Sequence, residues 1–197
     1  MKIVFSAVCA VAMLFLVAGN GYSADKENNK DDKENNKDHK FSTRLSGFNE
    51  VHFVAGPPAA LRGAVLTKAK GSFQAKLRKG EDVIDYELSY EGLEGTVTQA
   101  HIHFGQRHTV GGIVIWLCQT TGTPAPTSPP EVAATPICPS EGTVKGTIVA
   151  AQVLAQTAQG IAAGEFDEIL RAIRGGAAYA NVHSTLHTPG EIRGQVE

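Results

Sequence analysis

The stretch that decides the fold is VIDYELSY, residues 83–90, in which apolar and polar side chains alternate with a period of two. This pattern is typical of a β-strand with one buried and one solvated face. Further strand patterns lie at 41–45, 63–77 (two halves around Gly71), 97–104, 113–118, 142–150, 178–182 and 191–196. Helical patterns lie at 151–163, where the signal is weak, and at 165–173. The sequence therefore predicts a mainly β fold, an antiparallel Greek-key-like sandwich or barrel with one or two short helices in its connections.

The composition agrees with a β-rich domain. The 197 residues include 21 glycines and 9 prolines, which favour many turns over a helix bundle. Eighteen basic residues against twenty acidic ones give a net charge of −2. This balance argues against a nucleic-acid-binding protein, which needs a basic face.

The N-terminus has the pattern of an export signal. Residues 3–18 carry no charge, follow Lys2 and precede small residues. The run is short for a membrane span and typical of a signal-peptide core. We predict that residues 1–24 are a signal peptide and that the protein is secreted or periplasmic. The alternative is an uncleaved N-terminal anchor, the one case in which we expect membrane contact.

The next segment predicts a spacer. Residues 25–38 repeat DKENNKD twice and contain no apolar side chain. Such a segment cannot bury enough surface to offset its ordering entropy, so we predict a disordered charged linker over 25–40. Residues 41–197 are long enough to form one core and are expected to be the folded domain.

A loop rich in threonine and proline, residues 119–139, interrupts the strand patterns. Cys118 and Cys138 bracket this loop. In an exported protein they are the natural disulfide pair, and the alternative is two free thiols.

Histidines form two groups. His101 and His103 are two residues apart on a predicted strand, so their side chains point to the same face. His183 and His187 lie near the C-terminus, and His108 follows a predicted turn. If the closing strands lie beside 97–104, these imidazoles meet and form a site that suits copper, with zinc or iron as alternatives. The other interpretation is a structural histidine pair on a half-buried strand.

Three polar residues of the closing strands are candidates for supporting roles. We expect Arg193 to lie near the metal and hold a small anion. Asn181 and Glu191 are expected to support the metal ligands from behind through hydrogen bonds. The alternative for Glu191 and Arg193 is a surface ion pair of little energetic value.

Three motifs carry a resemblance to a known family: LSGFNE (45–50), LEGTVTQAHIHFG (93–105) and GGAAYANVHSTLHTPGEIRGQV (175–196). They resemble the CHRD domain, which is named for the extracellular protein chordin and is also found in exported bacterial proteins. The resemblance covers nearly all of residues 41–197 and implies an extracellular binding role. The proline-rich loop looks like an insertion. The chain has a single copy and lacks chordin's cysteine-rich repeats, so growth-factor antagonism does not carry over.

A second, local resemblance concerns AHIHFG, residues 100–105. It is similar to the copper-binding strand of copper/zinc superoxide dismutases, which are Greek-key β-barrels. This resemblance implies that His101, His103 and His183 bind copper and that Arg193 guides superoxide. The zinc cluster of those enzymes, with its aspartate, has no clear counterpart, which favours a copper-only site.

Two functions follow as hypotheses. The first is a copper-dependent oxidoreductase, most concretely a superoxide dismutase acting on the superoxide anion. The second is a non-catalytic exported module that buffers a metal or binds a surface polymer or a protein. A hydrolase using Ser184 is a weaker third, because no GxSxG motif accompanies it.

Overall fold

The computed structural model describes residues 39–54, 61–80 and 82–197, with the backbone alone at 53–54 and 61–62. The predicted signal peptide and the predicted linker up to residue 38 lie outside the described residues. Among the helices described, none is long and apolar enough to cross a membrane.

The chain forms ten strands and two α-helices in the described ranges. The strands are β1 (Lys40–Ser46), β2 (His52–Val54), β3 (Leu61–Gly63), β4 (Lys70–Leu77), β5 (Val83–Glu91), β6 (Val97–Phe104), β7 (Gly112–Cys118), β8 (Gly142–Val149), β9 (Ala178–Ser184) and β10 (Ile192–Gln195). The helices are α1 (Pro130–Ala133) and α2 (Phe166–Arg174), and short 3₁₀ turns lie at Gly47–Asn49, Ala150–Gln152 and Thr157–Gln159.

Eight of these strands build one antiparallel sheet in the order β7-β6-β9-β10-β1-β4-β5-β8. The sheet curls until its two edges approach, and the Tyr86 hydroxyl on β5 donates to the Leu117 carbonyl on β7 at 2.6 Å. Strands β2 and β3 form a separate two-stranded antiparallel sheet. The predicted mainly β barrel-like fold is confirmed.

The core fills the inside of this nearly closed barrel, because every second side chain of each strand points inward. Its largest fully buried members include Tyr90, Phe73, Leu45, Ile102 and Ile192. Helix α2 contributes Phe166, Ile169 and Ile173 from one face, as its sequence pattern predicts.

The weak helical prediction over 151–163 is wrong. The structure has two 3₁₀ turns there, joined by extended backbone. The segment forms hydrogen bonds with edge strand β7. Leu154 N–H donates to the Val114 carbonyl, and the Gln156 side-chain amide donates to the Ile113 carbonyl. These bonds replace the i→i−4 bonds that a helix would need.

The region 63–77 does not form two strand halves around Gly71: residues 64–69 are not in a strand, and β4 runs from Lys70 to Leu77 without a break at Gly71. Gly71 lies inside β4, between Leu45 and Tyr90 of the flanking strands. A Cβ at this position would lie 2.6 Å from the Ser89 carbonyl oxygen. The glycine therefore marks a close backbone approach within a strand and does not break it.

The disulfide between Cys118 and Cys138 is present, as predicted. It holds the proline-rich loop against the outside of the barrel. There Ala125 and Val132 pack on Trp116 of β7 and form a second small hydrophobic cluster. The loop thereby covers a tryptophan that borders the histidines described below.

Replacing both Cys118 and Cys138 by alanine is expected to lower the free energy of unfolding by about 3 kcal/mol. The bond closes a loop with a sequence separation of 20, and cutting it frees the unfolded chain. Urea unfolding of the variant and of reduced wild-type protein measures the loss. Equal stability of oxidised and reduced wild-type protein would refute this role.

Candidate metal centre

Three histidines that are far apart in sequence meet on one face of β6 and β9. In β6, Ala100 and Ile102 pack into the core, so His101 and His103 lie on the opposite face. Strand β9 pairs with β6 so that Gln99 lies opposite His183, which puts His183 on the same face. Sheet pairing thus brings together His101 and His183, which are 82 residues apart in the sequence.

These residues form the three-histidine cluster: His101, His103 and His183. Each offers one ring nitrogen, and the three nitrogens lie within 4.8 Å of one another. His101 Nδ1 is 3.3 Å from His183 Nε2. The side chains are buried, with exposed fractions of 0%, 7% and 5%, respectively.

Backbone carbonyls fix two of the three rings. His103 Nδ1 lies 3.1 Å from the Gly111 oxygen, and His183 Nδ1 lies 2.9 Å from the Thr188 oxygen. A carbonyl only accepts, so each ring donates from Nδ1 and, when neutral, keeps a lone pair on Nε2. His103 Nε2 is buried and has no hydrogen-bond partner within the described ranges. This orientation by an outer carbonyl is common for metal-binding histidines.

Burial keeps the cluster uncharged. The pKa of His103 is lowered to about 3, mainly by desolvation and also by the neighbouring His183 and Arg193, against the raising effect of the Gly111 hydrogen bond. Burial also lowers the pKa of His101, well below its usual value, and that of His183. All three imidazoles are therefore neutral at pH 7, which is the form that binds metals.

Aromatic rings enclose the cluster. Trp116 lies edge to face against His101, with ring centroids 4.3 Å apart. Tyr179 stacks on His103 at 4.8 Å with nearly parallel planes. The Tyr179 hydroxyl accepts a hydrogen bond from the Gly111 N–H at 3.2 Å. Neither residue is recognisable from the sequence as part of the site, because the contacts arise from strand pairing.

Arg193 lies beside the cluster but does not present its guanidinium to solvent. The strand order puts Tyr179 between His103 and Arg193, and the guanidinium carbon lies 3.5 Å from the Tyr179 ring centroid. Its nitrogens donate to the carbonyls of Thr109, at 2.8 Å, and Gln106, at 3.4 Å. The side chain is 3% exposed. Arg193 thus holds the loop 105–111 in place, and its contact with a small anion stays a prediction.

Asn181 supports a buried carboxyl group and not a histidine. Its side-chain amide donates to Glu50 and to the Ile192 carbonyl. Glu50 is 6% exposed, and its burial raises its pKa to about 8 despite the opposing charge of Arg193. Glu50 is not among the residues predicted for the site, and its only signal in the sequence is its place in the LSGFNE motif.

We expect the contribution of Glu50 to the stability of metal-free protein to decline as the pH rises from 4.5 to about 8, and Glu50→Gln to remove this decline. The pKa of Glu50 is raised from 4.5 to about 8 on folding. The folded state therefore binds this proton more tightly than the unfolded state does. The resulting contribution to the free energy of unfolding is complete below pH 4.5 and is lost as the pH rises through about 8. The slope is about −1.4 kcal/mol per pH unit.

Urea unfolding across this pH range measures the effect. Glu141→Gln, at an exposed carboxylate, is the matched control and should follow wild type. A Glu50→Gln profile that declines like wild type would contradict the assignment of this proton.

The structure does not place His187 and His108 with the other three histidines. His187 lies in the loop after β9, where its Nε2 is 2.8 Å from Glu94 Oε2. His108 is exposed on the loop before β7, with a positive φ of 65°. The prediction that they would join the cluster is corrected, since turns carry both side chains away from the strand faces.

Glu191 also lies apart from the three histidines. It directly precedes β10, and its Oε1 accepts from the Thr67 hydroxyl and the Glu94 N–H, each at 2.8 Å. The expectation that it would support the ligands is therefore corrected. It belongs to a second group with Glu94 and His187.

The family model described as the CHRD domain matches residues 41–196. No curated protein and no solved structure matches this chain.

Proposed function

Because the chain belongs to the CHRD domain family, we propose that it is a CHRD module whose three-histidine cluster binds one copper ion and supports superoxide dismutation. The observation that carries the proposal is the convergence of three ring nitrogens within 4.8 Å. An all-nitrogen, uncharged donor set suits copper better than calcium or magnesium, which prefer oxygen.

The donor atoms fit a metal of this kind. Nδ1 of His103 and of His183 is occupied by a carbonyl, which leaves Nε2 of each ring to bind. The buried Nε2 of His103 lacks a partner in the described part of the chain, and a metal would supply it. Bound there, copper would supply one-electron chemistry: one superoxide loses an electron to give dioxygen, and another gains it with two protons to give hydrogen peroxide.

The residues around the cluster set the conditions for this chemistry. Trp116 and Tyr179 exclude bulk water and restrict ring motion. Arg193 adds a buried positive charge next to Tyr179, which attracts a small anion electrostatically. We further propose that the protein works outside the cytosol, which its disulfide fits.

The test is superoxide decay measured with purified protein carrying one copper per chain. The proposal predicts faster decay than with the same concentration of free copper in the presence of a chelator, and no acceleration by metal-free protein. Stoichiometric copper without any acceleration would overturn the dismutase function and leave copper binding.

The burial of the cluster favours a second candidate, a non-catalytic copper-holding module. Exposed fractions of 0% to 7% limit the access of a substrate to the ring nitrogens. Slow copper release to a competing chelator, together with no superoxide activity, would support this candidate over the first.

A further inference from the structure

A second group of potential metal ligands lies beyond the end of β9. Glu94 comes from the turn between β5 and β6, His187 from the loop 185–190, and Glu191 from the residue before β10. Each offers one ligand atom, and these atoms lie within 4.8 Å of one another. The proposed copper chemistry uses none of them.

Glu191 is the buried anchor of this group. Its side chain has an exposed fraction of 0%. Oε1 accepts two hydrogen bonds, from Thr67 and from Glu94 N–H, whereas Oε2 is buried without a partner in the described part of the chain. A buried carboxylate oxygen is costly to leave unpaired. The free-energy cost of leaving Glu191 Oε2 unpaired indicates that a positively charged partner binds this oxygen.

The other two ligands are accessible. The side chains of His187 and Glu94 are 22% and 44% exposed, and His187 Nε2 already lies 2.8 Å from Glu94 Oε2. A cation can therefore reach the group from solvent and be held by one buried and two partly exposed side chains. Two carboxylates and one imidazole give a doubly negative set of oxygen and nitrogen donors.

We propose that Glu94, His187 and Glu191 form a second cation site, for a divalent transition metal of the zinc class. Zinc accepts histidine nitrogen together with glutamate oxygen and retains an open position when three protein ligands bind it. The negative donor set distinguishes this site from the uncharged three-histidine cluster. The proposal stands on these three residues and does not depend on copper binding.

A cation at this site would fasten the loop 185–190. His187 lies within that loop and Glu191 directly follows it, while Glu94 belongs to another turn. The same loop supplies the Thr188 carbonyl that orients His183. Zinc at the second site is therefore expected to hold this carbonyl in place.

The test compares zinc binding by wild-type protein and by Glu191→Gln, using calorimetric titration with Zn²⁺. Glutamine keeps an acceptor oxygen for Thr67 and for Glu94 N–H and removes only the charge. Wild type is expected to bind one more equivalent of zinc than the variant, or to bind it at least about tenfold more tightly. Equal stoichiometry and affinity would overturn the proposal.

Two further variants make the result specific. Glu94→Gln alters a partly exposed side chain, so it reports on the site even if Glu191→Gln does not fold, and it should also lose the zinc. Glu141→Gln should bind zinc like wild type. The measured quantity is the difference in zinc binding between variants. It can therefore be interpreted even if the three-histidine cluster does not bind copper.

Discussion

The double substitution His101→Ala and His103→Ala is expected to abolish stoichiometric copper binding and any superoxide activity. It removes two of the three converging nitrogens, and a single buried imidazole cannot hold copper against a chelator. We expect copper affinity to fall by more than about 100-fold, since loss of even an outer support costs 10- to 100-fold. Because both rings are buried and pack on Trp116 and Tyr179, the substitution also leaves cavities that lower stability, so the fold must be checked separately.

Copper content after dialysis against a chelator measures this effect, and thermal unfolding checks the fold. The matched control is His108→Asn, because His108 is exposed and lies outside the cluster. Asparagine also tolerates the positive φ of this position. Retention of one tightly bound copper by the double variant would show that the site lies elsewhere.

Gly111→Ala is expected to be the most damaging single substitution outside the ligands. A Cβ here would lie 1.7 Å from the Phe104 carbonyl oxygen, so the loop must move. The movement would break the contacts of Gly111 with His103 and with the Tyr179 hydroxyl. We expect copper affinity to fall by about 10- to 100-fold and stability by about 1–3 kcal/mol.

Gly122→Ala is the control for this substitution, since a Cβ at that position meets no atom within 4 Å. Copper titration and urea unfolding of both variants separate a local steric effect from a general loss of loop flexibility. If Gly111→Ala bound copper like Gly122→Ala, the Gly111 carbonyl would not orient His103.

The sequence predicted the barrel because its strands alternate clearly. VIDYELSY became β5, which pairs through eight residues with β4 and through eight with β8, and VTQAHIHF became β6 within the predicted bounds. The segment 151–163 was mispredicted because its backbone bonds go to edge strand β7, a tertiary contact that local pattern does not encode.

The site was predictable where strand geometry decides it. The spacing of His101 and His103 fixes their common face, and antiparallel pairing with β9 adds His183. The position of His187 could not be predicted in this way, because it lies three residues past Ser184, in a loop whose direction the sequence does not specify. The burial of Glu50 could not be predicted either, because it depends on Asn181, which comes from a strand distant in sequence.

Electron paramagnetic resonance of wild-type protein with one equivalent of Cu(II) tests the central claim most directly. The claim is that His101, His103 and His183 bind one copper through one ring nitrogen each. The account predicts a single copper species with hyperfine coupling to three nitrogens, lost in His101→Ala/His103→Ala. A spectrum of oxygen-coordinated copper, the same in wild type and variant, would contradict it.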